Sequence, residues 1–216
     1  MIDIKFCGMT RAEDAAYAAS LGARYVGVIF AESPRQLSDE RAREVLAPVP
    51  LGISRVGVFG DTKPEQIADR AQRLDLDVVQ LHGDPKPRTI ARVRRKWRGQ
   101  VWAVQRIADN ILPPAAADLF DAADGVVLDA RVDGQLGGTG VPLAWQELGE
   151  RVAAFRTDRA KLILAGGLTP SNVARAIDAL HPDVVDVSSG VELMVGVKDH
   201  GLMRAFRDAV QEVAAR

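Results

Sequence analysis

A single (β/α)₈ barrel is the fold class that the sequence predicts, and three observations predict it. Short apolar, β-rich runs alternate with helical segments along the whole chain, eight such pairs can be counted, and they fill 216 residues without leaving a stretch for a second domain. Strict alternation of strand and helix demands a parallel sheet with helices packed on it. Eight units in a chain of this length suit a closed barrel. The strand runs are IKFCG (4–8), YVGVIF (25–30), SRVGVF (54–59), DVVQLHG (77–83), VWAVQRI (101–107), GVVLDA (125–130), LILAGG (162–167) and VVDVSSG (184–190). Each is a nearly continuous apolar run, as expected of a parallel strand buried on both faces.

The helical segments carry their own signals. Gly22 ends the first as a C-cap, Ser38 opens the second as an N-cap with acidic residues behind it, and Pro64 sits in the first turn of the third. The segment after strand five is the weakest helix, because Pro113 and Pro114 interrupt it. An open doubly wound sheet is the alternative fold. It usually carries a glycine-rich turn after its first strand, and CGMT at 7–10 is not one.

Composition narrows the function. A formal net charge of −1 gives no field to attract nucleic acid or an acidic membrane. The basic run RVRRKWR (92–98) reads as a solvated helix face with Val93 and Trp97 turned inward. Three His and one Cys do not make a zinc site of the usual kind, and a lone Cys suits a reducing compartment. No signal pattern and no membrane-spanning apolar run is visible. The expectation is a cytoplasmic enzyme or binding protein without a metal, acting on a small molecule.

In this fold the chemistry sits where strands end and βα loops begin. Strand seven ends in Gly166 and Gly167 and strand eight in Ser188, Ser189 and Gly190. Small residues in these two loops are the usual phosphate cradle, with backbone amides and hydroxyls facing the anion. Cys7 ends strand one, with Lys5 on the same face by period-two alternation. A neighbouring ammonium favours the thiolate; alternatively Lys5 pairs with Asp186 of strand eight, and Cys7 is simply a small buried residue. Asp129 ends strand six, where apolar walls raise a carboxyl pKa and suit it to donate a proton, or where it stiffens the following loop. Arg35, after Pro34, offers a fork for a carboxylate or is an exposed loop residue. His82 is a ligand or proton donor, or a structural hydrogen bonder. The long loop 131–142 is rich in glycine, which permits close approach to a ligand.

Taken in order, KFCGMT, SPRQLS, VGVF, VQLHG, VVLDA, GGTG, LAGGLTPSNV and DVSSGVE…GVKD resemble the phosphoribosylanthranilate isomerase family from Lys5 to Asp199. The single motifs are weak and the ordered set is specific. The resemblance implies an Amadori rearrangement of a phosphoribosyl amine without a cofactor, with Asp129 as general acid and Cys7 as general base. It implies substrate contacts from Lys5, Arg35, His82, Gly138, Thr139 and Gly140, and phosphate contacts from Gly166, Gly167, Ser188, Ser189 and Gly190. This chemistry needs Cys7 ionised and Asp129 protonated, hence a thiol pKa moved down and a carboxyl pKa moved up. The chain is expected to act as a monomer or homodimer. Two departures stand out: Val195 replaces the family's usual proline in E-x-x-P-G-x-K-D, and Ala144 stands where an acidic residue often precedes Trp. The related histidine-pathway isomerase typically uses two Asp, and Cys7 argues against it. A non-catalytic sugar-phosphate-binding relative is the alternative outside enzymes.

Overall fold

The computed structural model describes residues 2–107, 112–129 and 145–215. Eight parallel strands close into a barrel: β1 (Asp3–Phe6), β2 (Tyr25–Ile29), β3 (Ser54–Phe59), β4 (Val78–Leu81), β5 (Gln100–Arg106), β6 (Gly125–Asp129), β7 (Lys161–Ala165) and β8 (Val184–Val187). Each hydrogen-bonds to the next, and β8 returns to β1 with Lys5 opposite Asp186. All eight sequence runs become strands of the barrel.

Helices α1 (Ala12–Ser20), α2 (Asp39–Leu46), α3 (Pro64–Arg73), α4 (Pro87–Lys96), α5 (Ala116–Ala122), α6 (Trp145–Phe155), α7 (Val173–Leu180) and α8 (His200–Ala214) follow the strands in turn. Their ends have local causes. The Ser38 hydroxyl accepts from the Arg41 amide at 3.3 Å, capping α2. The Asp199 carboxylate accepts from the Gly201 and Leu202 amides, capping α8. Gly22 leaves α1 at φ +79°, a conformation that costs glycine nothing. Pro113 and Pro114 precede α5 and do not interrupt it; their carbonyls accept from the amides of Ala116 and Ala117. In α4, Val93 is fully buried and Trp97, just past the helix, nearly so, while Arg92 and Arg94 pair with Glu65 and Asp124. The basic run is thus a helix face.

Two apolar regions hold the fold. One lies between strands and helices; the other fills the barrel itself, with Tyr25, Val56, Val78, Trp102, Val127 and Ile163 among its members. Trp102 is fully buried and meets the Tyr25 ring edge-on, with centroids 4.7 Å apart. A β-carbon at Gly125, opposite Trp102 on β6, would lie 2.6 Å from Ile163 and 2.9 Å from the indole. Glycine there makes room for the largest side chain of the interior. At the N-terminal end Lys161 closes the barrel, with Nζ 3.0 Å from Asp3 and 3.1 Å from the Tyr25 hydroxyl.

After β8 the chain makes one 3₁₀ turn (Ser189–Val191), then a small antiparallel hairpin of β9 (Glu192–Met194) and β10 (Val197–Lys198). This hairpin was not legible as such, and it carries the Val195 departure at its exposed tip. It is fastened from the β1 side: the Thr10 hydroxyl donates to the Gly196 carbonyl, and the Lys198 amide donates to the fully buried Asp14 carboxylate at 3.1 Å. These bonds position the hairpin without a proline.

Candidate active site

The C-terminal ends of the strands gather polar groups over the apolar interior. Lys5 is fully buried, and its Nζ donates to Asp186 Oδ2 at 2.6 Å. The pairing follows from register, because β1 and β8 place the two at the same height. Burial works against the Lys5 charge, but Asp186 and then Cys7 outweigh it and move its pKa up. Lys5 is therefore an ammonium held in the barrel, and the Lys5–Asp186 alternative of the sequence reading is the one that forms.

Cys7 lies one step above, 6% exposed, with its amide donating to the Val187 carbonyl at 2.9 Å. Gly27 on β2 makes room for both side chains. A β-carbon there would stand 3.0 Å from Cys7 Sγ and 3.3 Å from Lys5 Cε. Gly27 was not among the site residues expected from the sequence; a glycine inside a strand of otherwise aromatic and β-branched residues was its signal. The thiol departs from expectation in one respect. Burial pushes its pKa up, Asp186 adds to the rise, and Lys5 only opposes it. Lys5, already engaged by Asp186, and the smaller contribution of Lys198 do not overcome the desolvation.

Across the mouth, Asp129 ends β6, three strands from β1 round the closed barrel. Its side chain is 15% exposed, and His82 Nε2 lies 3.8 Å from its Oδ2, too long for a direct hydrogen bond. His82 follows β4, its amide donating to the Phe59 carbonyl at 2.7 Å. Burial lowers the imidazole pKa against the pull of Asp129, so the ring is neutral at pH 7. His82 Nδ1 and Gln80 Oε1 are buried without a hydrogen-bond partner among the described residues, which suits them to a polar ligand. Protonating His82 costs more in the folded protein than in the unfolded one. Its contribution to stability is therefore complete above pH 6.5 and declines as pH falls toward its lower folded pKa. An NMR titration is expected to place its midpoint below 6.5, and His82→Gln to reduce the loss of stability between pH 7 and pH 5.

Arg35 is drawn in from its loop. Nε and Nη2 donate to Glu192 at 2.7 and 2.6 Å, and the side chain is 17% exposed. Gly8, at φ +68°, lies beneath it; a β-carbon would meet Arg35 Cδ and Ser188 Oγ, each at 2.8 Å. Lys198 Nζ joins the group, donating to Glu192 Oε1 at 2.9 Å and to the Ser188 carbonyl at 3.1 Å. Glu192 and Lys198 belong to the GVE…GVKD motif, but sequence reasoning gave them no role.

The two glycine- and serine-rich loops abut. Gly166 and Gly167 both have positive φ, +88° and +65°. Asn172 braces their turn, accepting from the Thr169 amide and donating to the Gly167 carbonyl. A β-carbon at Gly190 would lie 1.8 Å from the Leu168 carbonyl oxygen, so Gly190 brings the two loops together backbone to backbone. Ser189 opens the 3₁₀ turn, and Ser188 Oγ is buried without a partner among the described residues. Gly138, Thr139, Gly140, the rest of the 131–142 loop and Ala144 lie outside the described residues. Among the described residues no group of three or more His, Cys, Asp or Glu is placed to hold a metal, and no helix is long and apolar enough to cross a membrane.

Comparison with known proteins gives this mouth its context. Residues 4–209 match the family model described as N-(5′-phosphoribosyl)anthranilate (PRA) isomerase. This chain belongs to that family. A relative of that name from Rubrobacter xylanophilus is 41% identical over 98% of this chain and all of its own length. The crystal structure of phosphoribosyl anthranilate isomerase from Thermotoga maritima superposes with a TM-score of 0.85 at 33% identity, covering 98% of this chain and 100% of that one. A further crystal structure of the enzyme, in complex with reduced 1-(o-carboxyphenylamino)-1-deoxyribulose 5-phosphate, has a TM-score of 0.82 at 31% identity, again over 98% and 100% of the two chains. The chain is an isomerase with the (β/α)₈ fold of that family.

Proposed function

We propose that this chain converts N-(5′-phosphoribosyl)anthranilate into 1-(o-carboxyphenylamino)-1-deoxyribulose 5-phosphate, a step of tryptophan biosynthesis, with Asp129 as general acid and Cys7 as general base. The observation that carries the reading is the placement of these two groups. Both end strands at one mouth, three strands apart, so a sugar lying between them presents its ring oxygen to one and C2′ to the other.

Asp129 gives its proton to the furanose ring oxygen as the C1′–O bond breaks. The nitrogen lone pair moves in behind it and leaves an iminium. Cys7 then takes the C2′ proton; the C2′–H electron pair forms the C1′=C2′ bond while the iminium π pair returns to nitrogen, giving an enolamine that tautomerises to the ketone. The substrate nitrogen is the electron sink, so the route uses no cofactor. Lys5 stabilises the thiolate form of Cys7, and neutral His82 offers the substrate a donor or acceptor beside Asp129. The phosphate lies on Gly166, Gly167, Ser188, Ser189 and Gly190. Arg35 takes the anthranilate carboxylate, and Gly138, Thr139 and Gly140 are the remaining substrate-contact residues of this reading. The lone reduced Cys7 suits work in the cytoplasm, as monomer or homodimer.

The test is loss of anthranilate fluorescence, with substrate formed in situ from anthranilate and phosphoribosyl pyrophosphate. Turnover by the wild-type protein is expected. A folded protein that binds the reduced product analogue but gives no turnover is a binding relative, and sinks the proposal.

A further inference from the structure

We propose that Glu192 is a positioning residue that sets the orientation of Arg35 and thereby the selectivity for the anthranilate carboxylate. The inference rests on the reading of Arg35 as the carboxylate clamp and names what makes that clamp work.

A guanidinium has five N–H donors, arranged so that two edges can each grip one carboxylate. Glu192 takes the side edge, with Nε on Oε1 at 2.7 Å and Nη2 on Oε2 at 2.6 Å. The end edge, formed by Nη1 and the second Nη2 hydrogen, has no partner among the described residues. Side-on engagement by an internal carboxylate leaves that fork for an external one. Glu192 is itself held: its side chain is 5% exposed, and Lys198, whose side chain is fully buried, donates to its Oε1 at 2.9 Å. Burial opposes Glu192 ionisation, but the hydrogen bonds from Arg35 and Lys198 prevail and lower its pKa. The carboxylate is thus a fixed anion. The same Lys198 ammonium reaches the Ser188 carbonyl in the phosphate loop at 3.1 Å. The orientation of the carboxylate clamp is therefore referenced to the phosphate end of the site, and Gly8, having no β-carbon, lets the Arg35 stem and Ser188 pack closely over it.

A loop arginine without this brace samples many rotamers, and ordering it on binding costs free energy that a held fork does not incur. The brace should therefore act on ligands with a carboxylate and leave others untouched. Two probes separate the cases: reduced 1-(o-carboxyphenylamino)-1-deoxyribulose 5-phosphate, and its counterpart made from aniline, which lacks the carboxylate. The wild-type protein is expected to prefer the first by at least tenfold. Glu192→Gln keeps the shape but cannot accept from both Arg35 donors. It should weaken the first probe about tenfold and change the second less than twofold, with KM raised and kcat largely kept. If Glu192→Gln does not fold, Glu192→Asp retains the charge opposite Lys198 and is read in the same way. Equal weakening of both probes makes Glu192 a scaffold of the whole site and overturns the proposal. Tighter binding of the first probe means that Glu192 competes with the ligand for Arg35, and overturns it too. A wild-type protein indifferent to the carboxylate removes the Arg35 reading itself, a failure distinct from that of Glu192.

Discussion

Replacing Cys7 by alanine is expected to lower kcat by about 10²- to 10⁴-fold, the range that a positioned proton-transfer group supplies. The substitution removes one sulfur from a wall that Gly27, Lys5 and Val187 already define, so KM should move little. The pH profile carries the stronger signature. Burial, reinforced by Asp186, raises the thiol pKa, so the free protein holds Cys7 protonated at neutral pH. The wild-type kcat/KM should then climb with pH, about tenfold per unit, until it passes a pKa above the ordinary thiol value of about 8.5. Cys7→Ala should lose that limb. Stability gives an independent check of sign. A thiol whose folded pKa is raised retains protons that the unfolded chain releases, so folding weakens as pH rises above the ordinary thiol range toward the folded pKa. The variant should lose this decline as well. Asp129→Asn should bring a comparable fall in kcat, and the double variant little more than either alone, because groups acting on one reaction path do not add. A Cys7→Ala protein retaining more than a tenth of wild-type kcat would assign the base to another group.

What the sequence made legible followed the physics of each element. The strands could be read because parallel strands buried on both faces leave continuous apolar runs, and α2 because Ser38 caps it with its own side chain. Lys5, Cys7, Asp129 and His82 could be read because barrel strands end at one face. What stayed hidden was relational. Glu192 and Lys198 acquire meaning only when the chain folds back and sets β9 beside the loop after β2, 157 residues away from Arg35. Gly27 and Gly8 work by what would collide with them, which depends on neighbours remote in sequence. The thiol pKa went the other way for a similar reason. Alternation placed Lys5 beside Cys7, but the balance between an ammonium and desolvation depends on burial depth and on who else shares the ammonium. Here Asp186 shares it.

Asp186→Ala is expected to destabilise the fold by about 3–5 kcal/mol, the cost of leaving a buried charge without its partner. Lys5 is fully exposed to that cost: it is entirely buried, and Asp186 is the largest influence favouring its charge. Chemical denaturation at pH 7 measures the loss as a shifted midpoint with an unchanged denaturant slope. Raising the pH should narrow the gap to wild type, because the orphaned lysine sheds its proton more readily than one held by a carboxylate. The pair itself, by contrast, adds little net stability, since desolvating both ions offsets their attraction. Replacing both, Lys5→Met with Asp186→Val, keeps the interior apolar and should lie within about 1–2 kcal/mol of the wild type. That double variant should nonetheless be impaired in turnover, as Cys7 would lose the cation that most favours its ionised form. Stability regained with activity still lost would assign the ion pair to chemistry. A double variant as unstable as Asp186→Ala would assign it to folding, and a single variant within 1 kcal/mol of the wild type would show that the lysine had found another partner.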